Sequence, residues 1–204
     1  SEDAESWLAF LSELEDQGLR GELGLELVIH DGGSGLCAAL TTIHFDAIQQ
    51  RCLFHKLRNI WHAIRLADDL PAAERRRQRR AIYRDFVAIF QAKQRATVLR
   101  RALRVVQKYR HTQPEAVATL RRNFRATVAY FLLQERHPTW HRSWLRTTSR
   151  LERFDRCLRR RMQSANAYHS DAGVLAMIAQ VVDDKFTRPA KRKFNTHFQP
   201  KAIH

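Results

Sequence analysis

The 204-residue sequence sets 36 Lys plus Arg against 21 Asp plus Glu, a net charge of +15, so a polyanion is the expected partner, nucleic acid ahead of an acidic membrane surface. No apolar run nears the roughly 18 residues of a spanning helix and no signal-peptide pattern opens the chain. Cys37, Cys52 and Cys157 are odd in number and far apart, against a secreted disulfide framework, which predicts reduced thiols in an intracellular protein.

From Glu2 to Leu19, Trp7, Leu8, Leu11 and Leu14 recur at helical spacing until Gly18 stops the pattern. Leu25 to His30 is a short apolar run that empties into Asp31-Gly32-Gly33, as a buried strand does at a turn. Gly35 to Ile43 predicts a short helix and Phe45 to Cys52 a returning strand, after which helical spacing resumes at Leu53. Helix, strand, helix, strand, helix is the order of an α/β sheet.

Beyond about Ile60 the strand signal disappears. Ile82, Phe86, Ile89 and Phe90 form one helical stripe, Val98, Ala102, Val106 and Tyr109 a second, and Val117, Leu120, Phe124, Val128 and Phe131 a third. Pro71, Thr112-Gln113-Pro114 and His137-Pro138 punctuate them. The predicted organisation is 1–59 as the first part of a core, 60–145 as an all-helical insertion with Trp140 and Trp144 packed back toward the sheet, 146–185 as the return to the core, and 186–204 as a basic, patternless tail.

Three sets of residues carry possible chemistry. Asp31, on a strand end before two glycines, has the position of a metal-binding carboxylate in a crevice, or of an ordinary Asp-Gly turn. Glu152 lies near the start of a helix whose Leu151, Phe154, Leu158 and Met162 predict a buried stripe. It is either an exposed partner of Arg156 or an acid among arginines that bind phosphate. Cys52 and His55 have a ligand-compatible spacing, yet zinc needs about four ligands and no second regular pair follows; a Cys52–His55 nucleophile lacks an orienting third group. The run Arg75-Arg76-Arg77-Gln78-Arg79-Arg80 is a nucleic-acid patch or a solvated helix face.

Taken together, Asp31-Gly32 followed by Gly35-Leu36-Cys37-Ala38-Ala39, then the block Gln50, Arg51, Cys52, His55, Lys56, Arg58 and Asn59, then Trp140, Trp144, Thr147, Thr148, Glu152 and Arg159, resemble the Mutator-like and bacterial insertion-sequence DDE transposases. The resemblance covers about residues 5 to 182, with Ser149 and Asp155 where that family commonly has Asn. It implies a partial ribonuclease H-like sheet with a large all-helical insertion, helix-dominated overall. Asp31 and Glu152 would be catalytic and metal-binding acids, converging to roughly 4–8 Å around two Mg²⁺ or Mn²⁺ ions for DNA strand cleavage and transfer. Cys52 and His55 would support the motif. Arg51, Lys56, Arg58, Thr147, Thr148, Arg150, Arg153, Arg156 and Arg159 would contact DNA, at transposon ends and target. A homo-oligomer working without a membrane, at the nucleoid in the cytoplasm of a bacterium or archaeon, is likewise implied. The family's first Asp belongs on a strand well before the opening helix, and Asp3 has no strand around it, so the expectation is a chain that binds DNA without efficiently cutting it alone. The other reading is a non-catalytic DNA-binding or regulatory remnant of a transposase.

Overall fold

The computed structural model describes residues 3–43, 46–164 and 170–184, the side chain of Ser164 excepted. The chain divides into two compact units, Ser1–Thr148 and Ser149–His204. The basic tail after Phe186 and the start of the predicted second strand at Phe45 lie outside the described residues.

The first unit opens with α1 (Ala4–Asp16), which Asp3 caps by accepting from the Ser6 amide at 2.8 Å. Gly18, at φ +97°, turns the chain after it. β1 (Leu27–His30), α2 (Ser34–Ile43) and β2 (Ile48–Arg51) then form a βαβ unit. Its two strands pair in parallel, Leu27 opposite Ile48 and His30 opposite Arg51. Each strand is shorter than its apolar pattern. Alternation along β1 gives the sheet two covered faces: Val28 packs with Leu11, Ala39 and Leu40 of α1 and α2, while Leu27 packs with the larger helical core.

That larger core is built by α3 (Leu53–Ala63), α4 (Ala72–Gln91), α5 (Arg95–Tyr109), α6 (Pro114–Arg121), α7 (Phe124–Thr127), α8 (Tyr130–Arg136) and α9 (Arg142–Leu145). Every regular element among the described residues between Ile60 and Trp144 is helical. The first two stripes are single helices, with Phe86, Ile89, Phe90, Val98, Ala102 and Tyr109 buried and Val105 inside in place of Val106. The third stripe is not one helix but three, α6, α7 and α8. Asn123 breaks it in the left-handed region, φ +52°, and side chains from β2 and α3 take the backbone groups that a continuous helix would have paired.

Trp140 stacks on His137, ring centroids 4.1 Å apart, and His137 Nε2 meets the Glu26 carboxylate just before β1 at 2.8 Å. Trp140 is thus tied to the sheet through His137. Trp144, against expectation, is 52% exposed.

The second unit contains α10 (Ser149–Ser164) and α11 (Asp171–Val182), the latter capped by Ser170. The stripe predicted to be buried on α10 is not: Leu151 and Met162 are exposed and Phe154 and Leu158 half-buried. Among the described residues of this unit, the buried apolar ones are Met177 and Val181, too little surface to cover such a stripe.

Candidate functional site

At the carboxyl end of β1, Asp31 is exposed, and its Oδ1 accepts from the Gly33 amide at 3.0 Å, an Asx turn that fixes the carboxylate as the chain leaves the strand. Gly32 suits this turn, where any other residue would be strained. Its φ is +92°, and a Cβ would overlap the Arg51 guanidinium, which crosses over this turn from the end of β2. Arg51 Nη1 reaches Cys37 Sγ at 3.5 Å, and the buried His30 meets the same sulfur through Nδ1 at 3.6 Å. Burial, then the Arg51 charge, hold His30 below its ordinary pKa, outweighing the opposite pull of Asp31. A small cavity of about 60 Å³ lies here, with Asp31, Arg51, Cys52, Lys56 and Arg122 in its wall. One carboxylate therefore faces three cationic side chains.

Cys52, where β2 passes into α3, is fully buried and joins three pieces of backbone. Its amide donates to the His30 carbonyl at 2.7 Å, continuing the strand ladder, while the next amide, of Leu53, donates to Arg146 at 2.7 Å. Its sulfur is 3.6 Å from Thr147 Oγ1 and accepts from the Thr148 hydroxyl at 3.3 Å and the Thr148 amide at 3.4 Å. Burial pushes this thiol up, but hydrogen bonds from Thr148 and His55 bring it net below its ordinary value. Cys52, His55, Thr147 and Thr148 thus form one contact set, which fastens the segment after α9 to the strand ends.

The remaining residues of that block divide by role. Lys56 Nζ donates to the Thr119 carbonyl at 2.7 Å and to that of Arg122, closing the carboxyl end of α6. Burial, with the charges of Arg51 and Arg122, pulls its pKa down to about 8. Arg58 and Asn59 are exposed on α3. Gln50 is fully buried: its Nε2 donates to Arg51 O at 2.6 Å and Thr127 O at 2.8 Å, and its Oε1 accepts from Tyr130 N at 2.8 Å. Sequence reasoning quoted Gln50 only as a motif member. The period-two alternation placing it on the face of Ile48 was the signal that could have marked it as buried.

In the second unit Glu152 sits in the first turn of α10 and is half-buried. Around that helix Arg150, Arg153, Arg156 and Arg159 are exposed. Arg159 pairs with Asp155 at 2.8 Å, and Arg153 Nε donates to Ser149 O at 3.2 Å. No helix among the described residues is long and apolar enough to cross a membrane.

The sequence is similar to known proteins. The sequence pattern of the Mutator family of transposases matches residues 1–188. The transposase for insertion sequence element IST2 of Acidithiobacillus ferrooxidans is 32% identical over 152 residues, 74% of this chain and 46% of that protein. The transposase for IS406 of Burkholderia multivorans is 28% identical over 199 residues, 96% and 47% respectively. A shorter stretch of 63 residues, 31% of this chain and 15% of its relative, is 40% identical to the transposase for IS256 in transposon Tn4001 of Staphylococcus aureus. The chain spans about half the length of the first two relatives. A match over most of the sequence, together with a strand-end Asp31, the Cys52–Thr148 fastening and a helix bearing Glu152, has one consequence: the chain belongs to the Mutator family of transposases.

Proposed function

We propose that this chain is part of the catalytic domain of a DNA transposase and that Asp31 and Glu152 are two of the acids that hold its metal ions. The observation that carries this is Asp31 itself, a carboxylate at the carboxyl end of a parallel strand, where open α/β sheets place their ligand sites. The βαβ unit with helices on both faces supports a ribonuclease H-like core. Carboxylate oxygens suit the hard cations Mg²⁺ and Mn²⁺. Oδ1 of Asp31 is held by Gly33, which leaves its second oxygen to a cation. When bound, such ions would polarise a phosphodiester and activate the attacking oxygen for strand cleavage and transfer.

The residues of the first unit would do the rest. Arg51 and Arg122, beside Asp31, would hold the phosphate whose charge the carboxylate alone repels. Thr147 and Thr148, pinned to Cys52, would fix the chain where it enters the helix that bears Glu152. Exposed Arg58, Arg150, Arg153 and Arg156 would contact the DNA backbone, at transposon ends and target, in an assembly of several copies of the transposase.

Manganese titration followed by electron paramagnetic resonance tests the site. Asp31→Asn and Glu152→Gln should each weaken Mn²⁺ binding by on the order of tenfold or more, and affinities unchanged in both would end the two-acid reading. Nicking of supercoiled DNA with Mg²⁺ then separates catalysis from binding. DNA binding without nicking would favour the non-catalytic, regulatory reading for this chain by itself.

A further inference from the structure

A second cavity, of about 240 Å³, lies in the helical part of the first unit, between Trp61 of α3 and Ala72, Arg75, Arg76 and Arg79 of the first two turns of α4. Its volume is several times the roughly 30 Å³ share of one water, so it accommodates more than a lone small ion. One wall is aromatic: the Trp61 ring is half-buried, held edge-on by Tyr83 with centroids 5.1 Å apart. The other wall is cationic. Arg79 lies with its guanidinium carbon 5.7 Å from the Trp61 ring centre, and its Nε is buried without a hydrogen-bond partner among the described residues. The acid of that turn, Glu74, is occupied by Gln78 at 3.1 Å and Arg77 at 4.0 Å, and Arg75, Arg76 and Arg79 form no ion pair among the described residues. Three uncompensated arginines beside an indole fit a ligand that carries both an anion and a flat ring.

We propose that this pocket takes one unpaired nucleotide of DNA, its base against Trp61 and its phosphate among Arg75, Arg76 and Arg79. The inference rests on the DNA-binding reading above and deepens it. A base in a duplex is stacked and cannot enter such a pocket, so the site discriminates single-stranded or opened DNA from intact duplex.

The test is fluorescence anisotropy of the chain against a labelled oligothymidine of about 20 nucleotides, longer than the roughly 4–16 of common single-strand sites, and against a hairpin duplex as comparison. Trp61→Leu should weaken single-strand binding by on the order of tenfold and leave duplex binding within about twofold. Because Trp61 also packs on Tyr83, the double variant Arg75→Gln/Arg76→Gln, which leaves the Trp61–Tyr83 contact intact, is the second probe. It should lower the salt slope for the oligothymidine by about 0.7 per lost contact. Equal weakening of single strand and duplex in both variants would overturn the pocket and leave ordinary DNA binding standing. A wild-type chain that binds neither probe would overturn both readings.

Discussion

Two basic regions of this protein use their cations in opposite ways. Around the helices of the first unit, arginines and a lysine end on main-chain carbonyls. Lys56 takes those of Thr119 and Arg122, while Arg101, Arg146 and Arg142 take Ala88, Phe90 and Ala92 along the last turns of α4. On α10 of the second unit, Arg156 and Arg160 are exposed, Arg159 forms an exposed pair with Asp155 one helical turn away, and Arg153 reaches a carbonyl of its own helix, that of Ser149. A helix leaves four carbonyls unpaired at its carboxyl end, and each needs a donor when covered. A chain rich in Lys and Arg meets that need with them. The charge of +15 therefore overstates the number of side chains free to meet phosphate, because several of them already satisfy the fold.

The strongest way to sharpen this contrast is at Gln50, the neutral member of the first region. Gln50→Leu removes three hydrogen bonds and strands the Thr127 carbonyl and the Tyr130 amide, at roughly 1–3 kcal/mol for each buried group. Urea unfolding should show a loss of about 3–5 kcal/mol. A loss below about 1 kcal/mol would mean that the gap between α7 and α8 closes into a continuous helix without it.

Arg146→Ala comes next. Its guanidinium donates to Phe90 O at 3.1 Å and lies 5.7 Å from the Tyr130 ring centre, so a cost of about 2 kcal/mol is expected in the same measurement. An effect indistinguishable from that of an α10 arginine would erase the distinction between the two regions.

Lys56 gives a smaller effect with a sign. Its folded pKa of about 8 lies below the ordinary 10.5, so between those values the unfolded chain holds a proton that the folded chain has shed, and the contribution of Lys56 to stability grows as pH rises through that window. Other groups change charge over the same range, so the comparison is wild type against Lys56→Met. The advantage of wild type should widen between about pH 7.5 and about pH 10 in thermal melts, and an advantage that shrinks would reject the burial of the ammonium.

Local elements were readable wherever their cause was local. Asp31-Gly32-Gly33 marked the end of β1 because the turn is made by those residues, and the stripes of α4 and α5 marked their buried faces. The stripe from Val117 to Phe131 misled because what interrupts it lies elsewhere in the chain. Gln50 takes Thr127 O and Tyr130 N across separations of 77 and 80 residues, and Lys56 takes Arg122 O across 66. No window of neighbours contains that information. The stripe on α10 failed for the complementary reason: periodicity states which face is apolar, not whether anything covers it. Of the candidate site, the residue types and their order were legible, whereas the commitment of Lys56 to carbonyls and of Arg51 to the space above Gly32 required the fold.

The smallest stability effect and the most direct contact with function both belong to Arg156→Ala/Arg159→Ala on α10. Arg156 is exposed, and the Arg159–Asp155 pair, with side chains 74% and 50% exposed, is screened by solvent and worth at most about 0.5 kcal/mol. The double variant should therefore unfold within about 0.5 kcal/mol of wild type. Each phosphate neutralised on duplex DNA releases counterions, so the logarithm of affinity falls linearly with the logarithm of salt, by about 0.9 per contact. If both arginines touch phosphate, the slope should flatten by about two, and unrelated sequences should weaken equally, since phosphate contacts carry no base identity. Asp155 sharpens the measurement. Binding would have to exchange a carboxylate for a phosphate at Arg159, so Asp155→Asn should raise duplex affinity while leaving the slope intact. An unchanged slope in the double variant would assign α10 to protein contacts and leave the exposed arginines of the first unit as the DNA surface.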